Sequence, residues 1–229
     1  NWYVNSVTDA NNHTTTYLRG APPPNGIGEI TKITHPDGTY IQYQYDDHGH
    51  YINSIRDENG NVTTLHRDGN HRIYQIDYPT NANTPASYEG FAYNGFGQVT
   101  YHLLRNGAWE TYVYDSRGLL TDKYEPKFGS PPGGDDPHTH YDYYRPNDVD
   151  LSGRGIGNAW IDRVKTVTGP NPNYQLSAQS SESYEYDRTA SGAACAGRGL
   201  VTKIQHADGT CRSFKYDQWG NKVQEWNEL

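Results

Sequence analysis

The chain repeats itself. Gly28-Glu-Ile-Thr-Lys-Ile-Thr-His-Pro-Asp-Gly-Thr-Tyr-Ile-Gln-Tyr-Gln-Tyr-Asp-Asp-His-Gly49 returns as Gly199-Leu-Val-Thr-Lys-Ile-Gln-His-Ala-Asp-Gly-Thr-Cys-Arg-Ser-Phe-Lys-Tyr-Asp-Gln-Trp-Gly220, with 11 of 22 positions identical and no gap. Such an internal repeat restricts the fold to architectures that stack one supersecondary unit many times. Shorter copies lie between the two. Tyr93-Asn94-Gly95-Phe96-Gly97 and Tyr114-Asp115-Ser116-Arg117-Gly118 keep the Tyr-(Asp/Asn)-x-x-Gly core, and Asp57-Glu58-Asn59-Gly60 keeps its second half. Asp9-Ala10-Asn11-Asn12 ends in Asn, which also tolerates positive φ. Tyr184-Glu185-Tyr186-Asp187 opens a further copy whose turn is replaced by the longer segment 191–198.

Each unit reads as strand, turn, strand, turn. Glu29–Thr34 is β-prone on both faces, and Pro36-Asp37-Gly38-Thr39 is a tight turn in which Gly supplies positive φ. Tyr40–Tyr45 places Ile41, Tyr43 and Tyr45 on one face and Gln42 and Gln44 on the other. The repeated residues Tyr45, Asp46, Gly49, Asp57, Gly60, Tyr93, Gly97, Tyr114, Asp115, Gly118, Tyr186, Asp187, Tyr216, Asp217 and Gly220 are therefore expected to be structural. Tyrosines are expected to stack on tyrosines between units, and the Asp carboxylates to cap turn amides. The fold class predicted is all-β, antiparallel hairpins wound as a repeat sheet or spiral.

Composition agrees with order. Hydrophobic residues make up only 33%, but 21 Tyr, 5 Trp and 4 Phe are more aromatic surface than a disordered chain carries. The 24 Gly and 13 Pro predict frequent turns and no long helix. A net charge of −8 with no basic run argues against nucleic acid, and no apolar stretch is long enough for a membrane-spanning helix. The absence of Met and of a signal peptide reads as a processed mature protein or a segment of a larger one.

The Tyr-x-Tyr-Asp-x-x-Gly and Pro-Asp-Gly-Thr patterns resemble the YD (RHS) repeat family over roughly 27–121 and 184–226. Its members include bacterial RHS toxins, B/C components of insecticidal toxin complexes, wall-associated proteins and the teneurin shell. The resemblance implies a long β-sheet wound as a spiral, often around a hollow interior. The family's Asp-Pro-x-Gly-Leu type core signature is absent, so the resemblance does not extend to toxin activity.

A single array over 1–229 is expected, with an irregular loop insertion at about 125–158, where Pro131-Pro132-Gly133-Gly134-Asp135-Asp136-Pro137 breaks the pattern. Asp148-Val149-Asp150-Leu151-Ser152-Gly153 resembles the start of a calcium loop, with oxygen ligands at Asp148, Asp150 and Ser152; the competing reading is a polar turn. Asp135, Asp136, His138 and His140 form a second metal-like group, against the commoner reading of solvated loop histidines. Cys195 and Cys211 are expected to pair as a disulfide if the protein is secreted, or to remain two small apolar thiols. Trp109, Trp160, Trp219 and Trp226 are candidates for stacking on sugar rings, against core or interface packing. No Gly-x-Ser-x-Gly elbow, His-Glu-x-x-His or phosphate loop is present, and no enzyme is expected.

These features predict an extracellular structural or assembly protein forming part of a shell, filament or surface layer. Its partners would be further copies of itself or the rest of a longer RHS-type chain, met through strands that read as unpaired at both ends. A carbohydrate-binding or adhesion module is the alternative, with a glycan as ligand. The wall of a toxin-encapsulating shell is a third reading.

Overall fold

The computed structural model describes residues 3–20, 28–46, 50–80, 87–156, 160–170, 181–187 and 199–228. Its elements are strands and turns, with no α-helix among the described residues. The chain divides into two compact units, residues 1–108 and 109–229. In the first, β1 (Ser6–Thr8), β2 (Thr14–Arg19), β3 (Ile30–Thr34), β4 (Tyr40–Tyr45), β5 (Ile52–Arg56), β6 (Val62–Arg67), β7 (Ile73–Tyr78), β8 (Ser87–Tyr93) and β9 (Val99–Leu103) follow one another. Each pairs antiparallel with the next.

The second unit carries β10 (Ala108–Tyr114), which opens on the last residue of the first unit, then β11 (Leu120–Phe128) and β12 (His138–Tyr143). It continues through β13 (Val164–Thr168), β14 (Ser181–Tyr186), β15 (Val201–His206), β16 (Cys211–Tyr216) and β17 (Lys222–Glu228). From β11 onward each strand again pairs antiparallel with its successor. The all-β hairpin repeat expected from the sequence is what forms. Within 125–158, β11 runs on to Phe128 and β12 occupies His138–Tyr143, so a hairpin stands in part of the stretch where the sequence pattern lapses.

Register defines the repeating unit. An odd-numbered strand is followed by an even-numbered one that ends in Tyr or Arg. In six of these hairpins the third residue of the odd strand pairs with the residue three before that closing Tyr or Arg. The pairs are Lys32↔Gln42, Ser54↔Thr64, Gln75↔Gly90, Asp122↔His140, Thr166↔Ser183 and Lys203↔Ser213. The closing tyrosine then reaches back along its own hairpin. The hydroxyls of Tyr45, Tyr93, Tyr143, Tyr186 and Tyr216 donate to the carbonyls of Ile30, Ile73, Leu120, Val164 and Val201 at 2.5 to 2.9 Å. Each of those carbonyls belongs to the first residue of the preceding strand. Where the closing residue is arginine a guanidinium reaches back instead, from Arg67 to Ile52, the first residue of β5, and from Arg19 to Val4, two residues before β1, both at 3.3 Å.

A β-bulge recurs where one hairpin meets the next. Tyr45 pairs with Ile52 while Gln44 pairs with Ser54, so Asn53 is extra. The same step follows Arg19, Arg67, Tyr93, Tyr143, Tyr186 and Tyr216. A bulge bends the strand and re-aims the adjacent side chain, which here turns the closing residue toward its hairpin's open end. Where the extra residue is Thr, its hydroxyl donates back across the step: Thr31 to Leu18, Thr100 to Ala92 and Thr202 to Glu185, at 3.3 to 3.4 Å.

Among the described residues the buried apolar core is small. In the second unit it is Tyr144, Ile156, Trp160 and Tyr186, with Trp160 set edge-on to Tyr144 at 5.1 Å and to Tyr186 at 5.7 Å. Most strand residues are half-buried on both faces, as in β3, β5 and β15. Of the tyrosine-on-tyrosine contacts expected, Tyr186 meets the Tyr144 ring edge-on at 6.5 Å rather than face-stacked. The hydroxyls of the closing tyrosines point at backbone, and cations approach several tyrosine rings. Arg72 lies 4.6 Å from the Tyr93 ring centroid, Arg105 4.3 Å from Tyr78, and Lys32 and Arg56 both approach Tyr40. Each such contact contributes about 0.5–1 kcal/mol at exposed sites.

Candidate functional site

The repeated Asp residues build turns. Asp57 Oδ1 accepts the amides of Asn59 and Asn61, and Asp217 Oδ1 those of Trp219 and Asn221. Asp68, Asn94 and Asp115 bind the amides two and four residues on in the same way. The third residue after each turns left-handed: Gly60, Gly97, Gly118 and Gly220 have φ between 82° and 92°. Asn12 takes that place at φ 67°, as its sequence position suggested, and His71 takes it at 62°. Asp46 accepts from His50 and Tyr51, while Gly49 lies outside the described residues. Asp37 and Asp208 close the tighter turns by binding both amide and hydroxyl of Thr39 and Thr210.

These bonds favour the ionised carboxylate. The Asn61 and Asn221 side chains hold Asp57 and Asp217 below the usual carboxylate range, and the Arg72 guanidinium does so for Asp68. The phenols move the other way, because burial pushes Tyr45, Tyr93, Tyr143 and Tyr186 above the ordinary tyrosine value. They remain neutral donors.

The calcium-like stretch has the geometry of one more repeat turn. Asp150 Oδ1 accepts the amides of Ser152 and Arg154, Asp150 N donates to Arg154 O, and Gly153 has φ 77°. The other oxygen of the fully buried Asp150 carboxylate receives Arg154 Nε at 2.8 Å. Asp148 is bound by Lys165 Nζ at 3.1 Å and by the Arg145 amide. These charges already face cations. His138 and His140 sit two apart on β12 and both face Asp122, with His140 Nδ1 at 2.6 Å. His140 lies above the ordinary histidine value, since Asp122 and Asp142 outweigh the opposing effect of burial. Asp136 is engaged by Lys127. Among the described residues no group of three or more His, Cys, Asp or Glu is placed to hold a metal ion.

Cys211 is a buried free thiol; Cys195 lies outside the described residues, so no disulfide is seen. Of the tryptophans, Trp160 corrects the expectation of a sugar platform, because it is 1% exposed and fills the core beside Tyr144 and Tyr186. Trp109 is half-buried in β10. Trp219 stands out from its turn at 78% exposure, and Trp226 donates its Nε1 proton to Glu228. Phe96 occupies the same turn position in the first unit as Trp219 in the second, and is likewise exposed.

What remains open is backbone. Among the described residues of its unit, β17 pairs with β16 alone, and all of it except Glu228 is exposed. It is held on that one side by Arg212 to Glu225 and by the Ser213 hydroxyl to Glu228, while Lys222 binds Glu225 within the strand. In the first unit β1 pairs with β2 and is exposed throughout.

No known family model matches the chain, and no curated protein matches it. Solved structures do. The crystal structure of TcdB2-TccC3 without its hypervariable C-terminal region is similar at a TM-score of 0.39 and 11% identity, over 96% of this chain and 14% of that one. The N-terminal domain of effector protein SpvB from Salmonella typhimurium is similar at 0.33 and 12%, over 94% of this chain and 93% of that one. The Photorhabdus luminescens Tc holotoxin pore gives 0.31 and 12%, over 95% and 14%. The chain thus spans about a seventh of the length of the Tc-toxin chains it matches.

Proposed function

We propose that this chain is a non-catalytic wall module of the YD-repeat kind, which serves by extending a β-sheet within a larger extracellular assembly. The observation that supports the reading most is the fixed hairpin: one register, one bulge and one closing Tyr or Arg, reproduced in both units. A fold built from such steps grows by adding strands rather than by thickening a core. The carboxylates that suggested chemistry face turn amides, arginines and lysines, and His138 and His140 face Asp122, which favours a structural role for them. The open strands β17 and β1 are the surfaces through which growth would proceed, by pairing with further copies or with the rest of a longer chain.

Electron microscopy and light scattering of the purified chain at neutral pH, with calcium present, test this. Filaments, tubes or sheets are the expected result. Dispersed particles of 25.9 kDa whose β17 amides are protected from exchange without a partner would overturn the assembly role. The extracellular setting is checked separately, by labelling intact producing cells with a membrane-impermeant lysine reagent; a chain that stays unlabelled until lysis would refute it.

A further inference from the structure

The longest internal repeat places one spot of sheet in both units. In the second unit Lys203, Ser213 and Trp226 stand in a row on β15, β16 and β17, each opposite the next. Residues directly opposite share a face of the sheet. Their three donors converge on one carboxylate, that of Glu228, two residues beyond Trp226. Lys203 Nζ reaches Oε2 at 3.2 Å, while the Ser213 hydroxyl and Trp226 Nε1 reach Oε1, both at 2.9 Å. Burial opposes a charge on Lys203, yet the Glu228 carboxylate holds it above the ordinary lysine value. The row is a carboxylate receptor.

The first unit carries the same row with its own carboxylate drawn elsewhere. The repeat aligns Lys32, Tyr40 and Gln42 with Lys203, Cys211 and Ser213. Lys32, Gln42 and Arg56 again stand opposite one another, on β3, β4 and β5. Two residues beyond Arg56 comes Glu58, the counterpart of Glu228, but it belongs to the turn after β5 and faces His35 at 3.3 Å. Tyr40 stands where the small Cys211 is, with Lys32 Nζ 3.7 Å and Arg56 Cζ 4.6 Å from its ring centroid. A ring face attracts cations, but their N–H groups still need acceptors. Among the described residues the side chains of Lys32, Tyr40, Gln42 and Arg56 make no hydrogen bond, and neither cation has an ion-pair partner. Asp57 feels the charge of Arg56, but its oxygens are bound by Asn59 and Asn61.

We propose that Lys32, Gln42, Arg56 and the Tyr40 hydroxyl form a receptor for a carboxylate, brought by a glutamate side chain of a partner protein. The second unit shows the chemistry this row takes, one carboxylate shared by a lysine and two donors on the following strands. Glu228 shows the occupant that fits, a single carboxylate on a short flexible stem. Arginine in the third place adds a planar fork that matches a carboxylate with two parallel bonds. Two neighbouring cations repel, and an anion set against both removes that cost. On a chain of net charge −8 such a positive spot selects where an acidic partner lands. The receptor lies on a sheet face, not a strand edge, and does not rest on the wall reading.

The test is an NMR titration of the whole isotope-labelled chain at constant ionic strength, with acetyl-Ala-Glu-Ala-amide as probe. Saturable shifts confined to β3, β4 and β5 around Lys32, Tyr40, Gln42 and Arg56 are expected, in the millimolar range. The same peptide with Gln in place of Glu should give none. Arg56→Gln should weaken binding about tenfold, the effect of one charge-assisted hydrogen bond. Gln42→Glu should abolish it, because the row then holds a carboxylate of its own. That variant gives the two cations a partner instead of removing one, so it tests the site without stripping a contact from the fold. Glucuronate, titrated in parallel, serves as the sugar acid. Absence of saturable shifts, equal response to the Glu and Gln peptides, or shifts that map to other strands would each overturn the receptor. Undiminished binding by Arg56→Gln or Gln42→Glu would do the same. Tighter binding of glucuronate than of the peptide would overturn the assignment of the partner as a protein.

Discussion

The closing tyrosine is the residue on which the repeat turns. Its hydroxyl satisfies a carbonyl that would otherwise sit half-buried at the mouth of a hairpin, and burial keeps its proton in place. Replacing Tyr186 by Phe leaves the Val164 carbonyl unpaired, and is expected to cost about 1–2 kcal/mol in urea unfolding. Tyr186→Ala should cost more, since Tyr144 and Trp160 lose their neighbour. Backbone conformation matters at the same scale. Gly97 has φ 83°, and a Cβ there would meet only the Arg72 guanidinium at an ordinary 4.0 Å, so Gly97→Ala is strained by conformation rather than by collision and should lose roughly 1–2 kcal/mol. Gly95, two residues earlier in the same turn, faces open space and is not left-handed; Gly95→Ala should change stability by no more than about 0.5 kcal/mol.

Turns, at the scale of the element, give the fold its acid response. Asp57, Asp68 and Asp217 have folded pKa values below the unfolded ones, so their contribution is complete above the unfolded carboxylate value and is lost as pH falls through the folded values. Stability followed by circular dichroism should hold from pH 7 to about 5 and decline through the acid range. The turn at Asn94 makes the same amide bonds without a titrating group. A variant carrying Asp57→Asn and Asp217→Asn should therefore show a flatter acid limb. An unchanged limb would mean that the turn carboxylates do not govern acid unfolding.

At the scale of the whole molecule, the sequence disclosed the kind of fold and the sites of its turns, because Gly, Asp and Asn report backbone conformation directly. It did not disclose the register. A bulge is one uncounted residue, and Thr31 or Thr202 looks like an ordinary member of an alternating strand. Arg19 and Arg67 as stand-ins for the closing tyrosine were likewise hidden, since nothing in residue type says that guanidinium and phenol reach the same carbonyl. The calcium-like motif reads two ways for a clear reason: Asp-x-Ser-Gly spells both a cation loop and an Asp turn, and here Arg154 occupies the second carboxylate oxygen. Trp160 belongs to a segment with no repeat pattern, yet Trp160→Ala should be among the costliest single changes, about 3–5 kcal/mol, read as faster amide exchange in β13 and β14.

One bond at the base of the turns has a consequence for how such a chain can change. Asp115 N donates to Leu119 O, Asp217 N to Asn221 O, and the corresponding pair survives as Asp187 N to Leu200 O and Tyr144 N to Arg163 O, where much longer segments intervene. The clasp shuts regardless of what hangs from it. Closing a longer loop costs only about 0.6 kcal/mol per doubling of length, so foreign sequence spliced between Ser116 and Arg117 should leave the neighbouring strands in register. A lineage built this way can trade its tips freely while its weave stays fixed, and an engineer can use the same seam as a place for display.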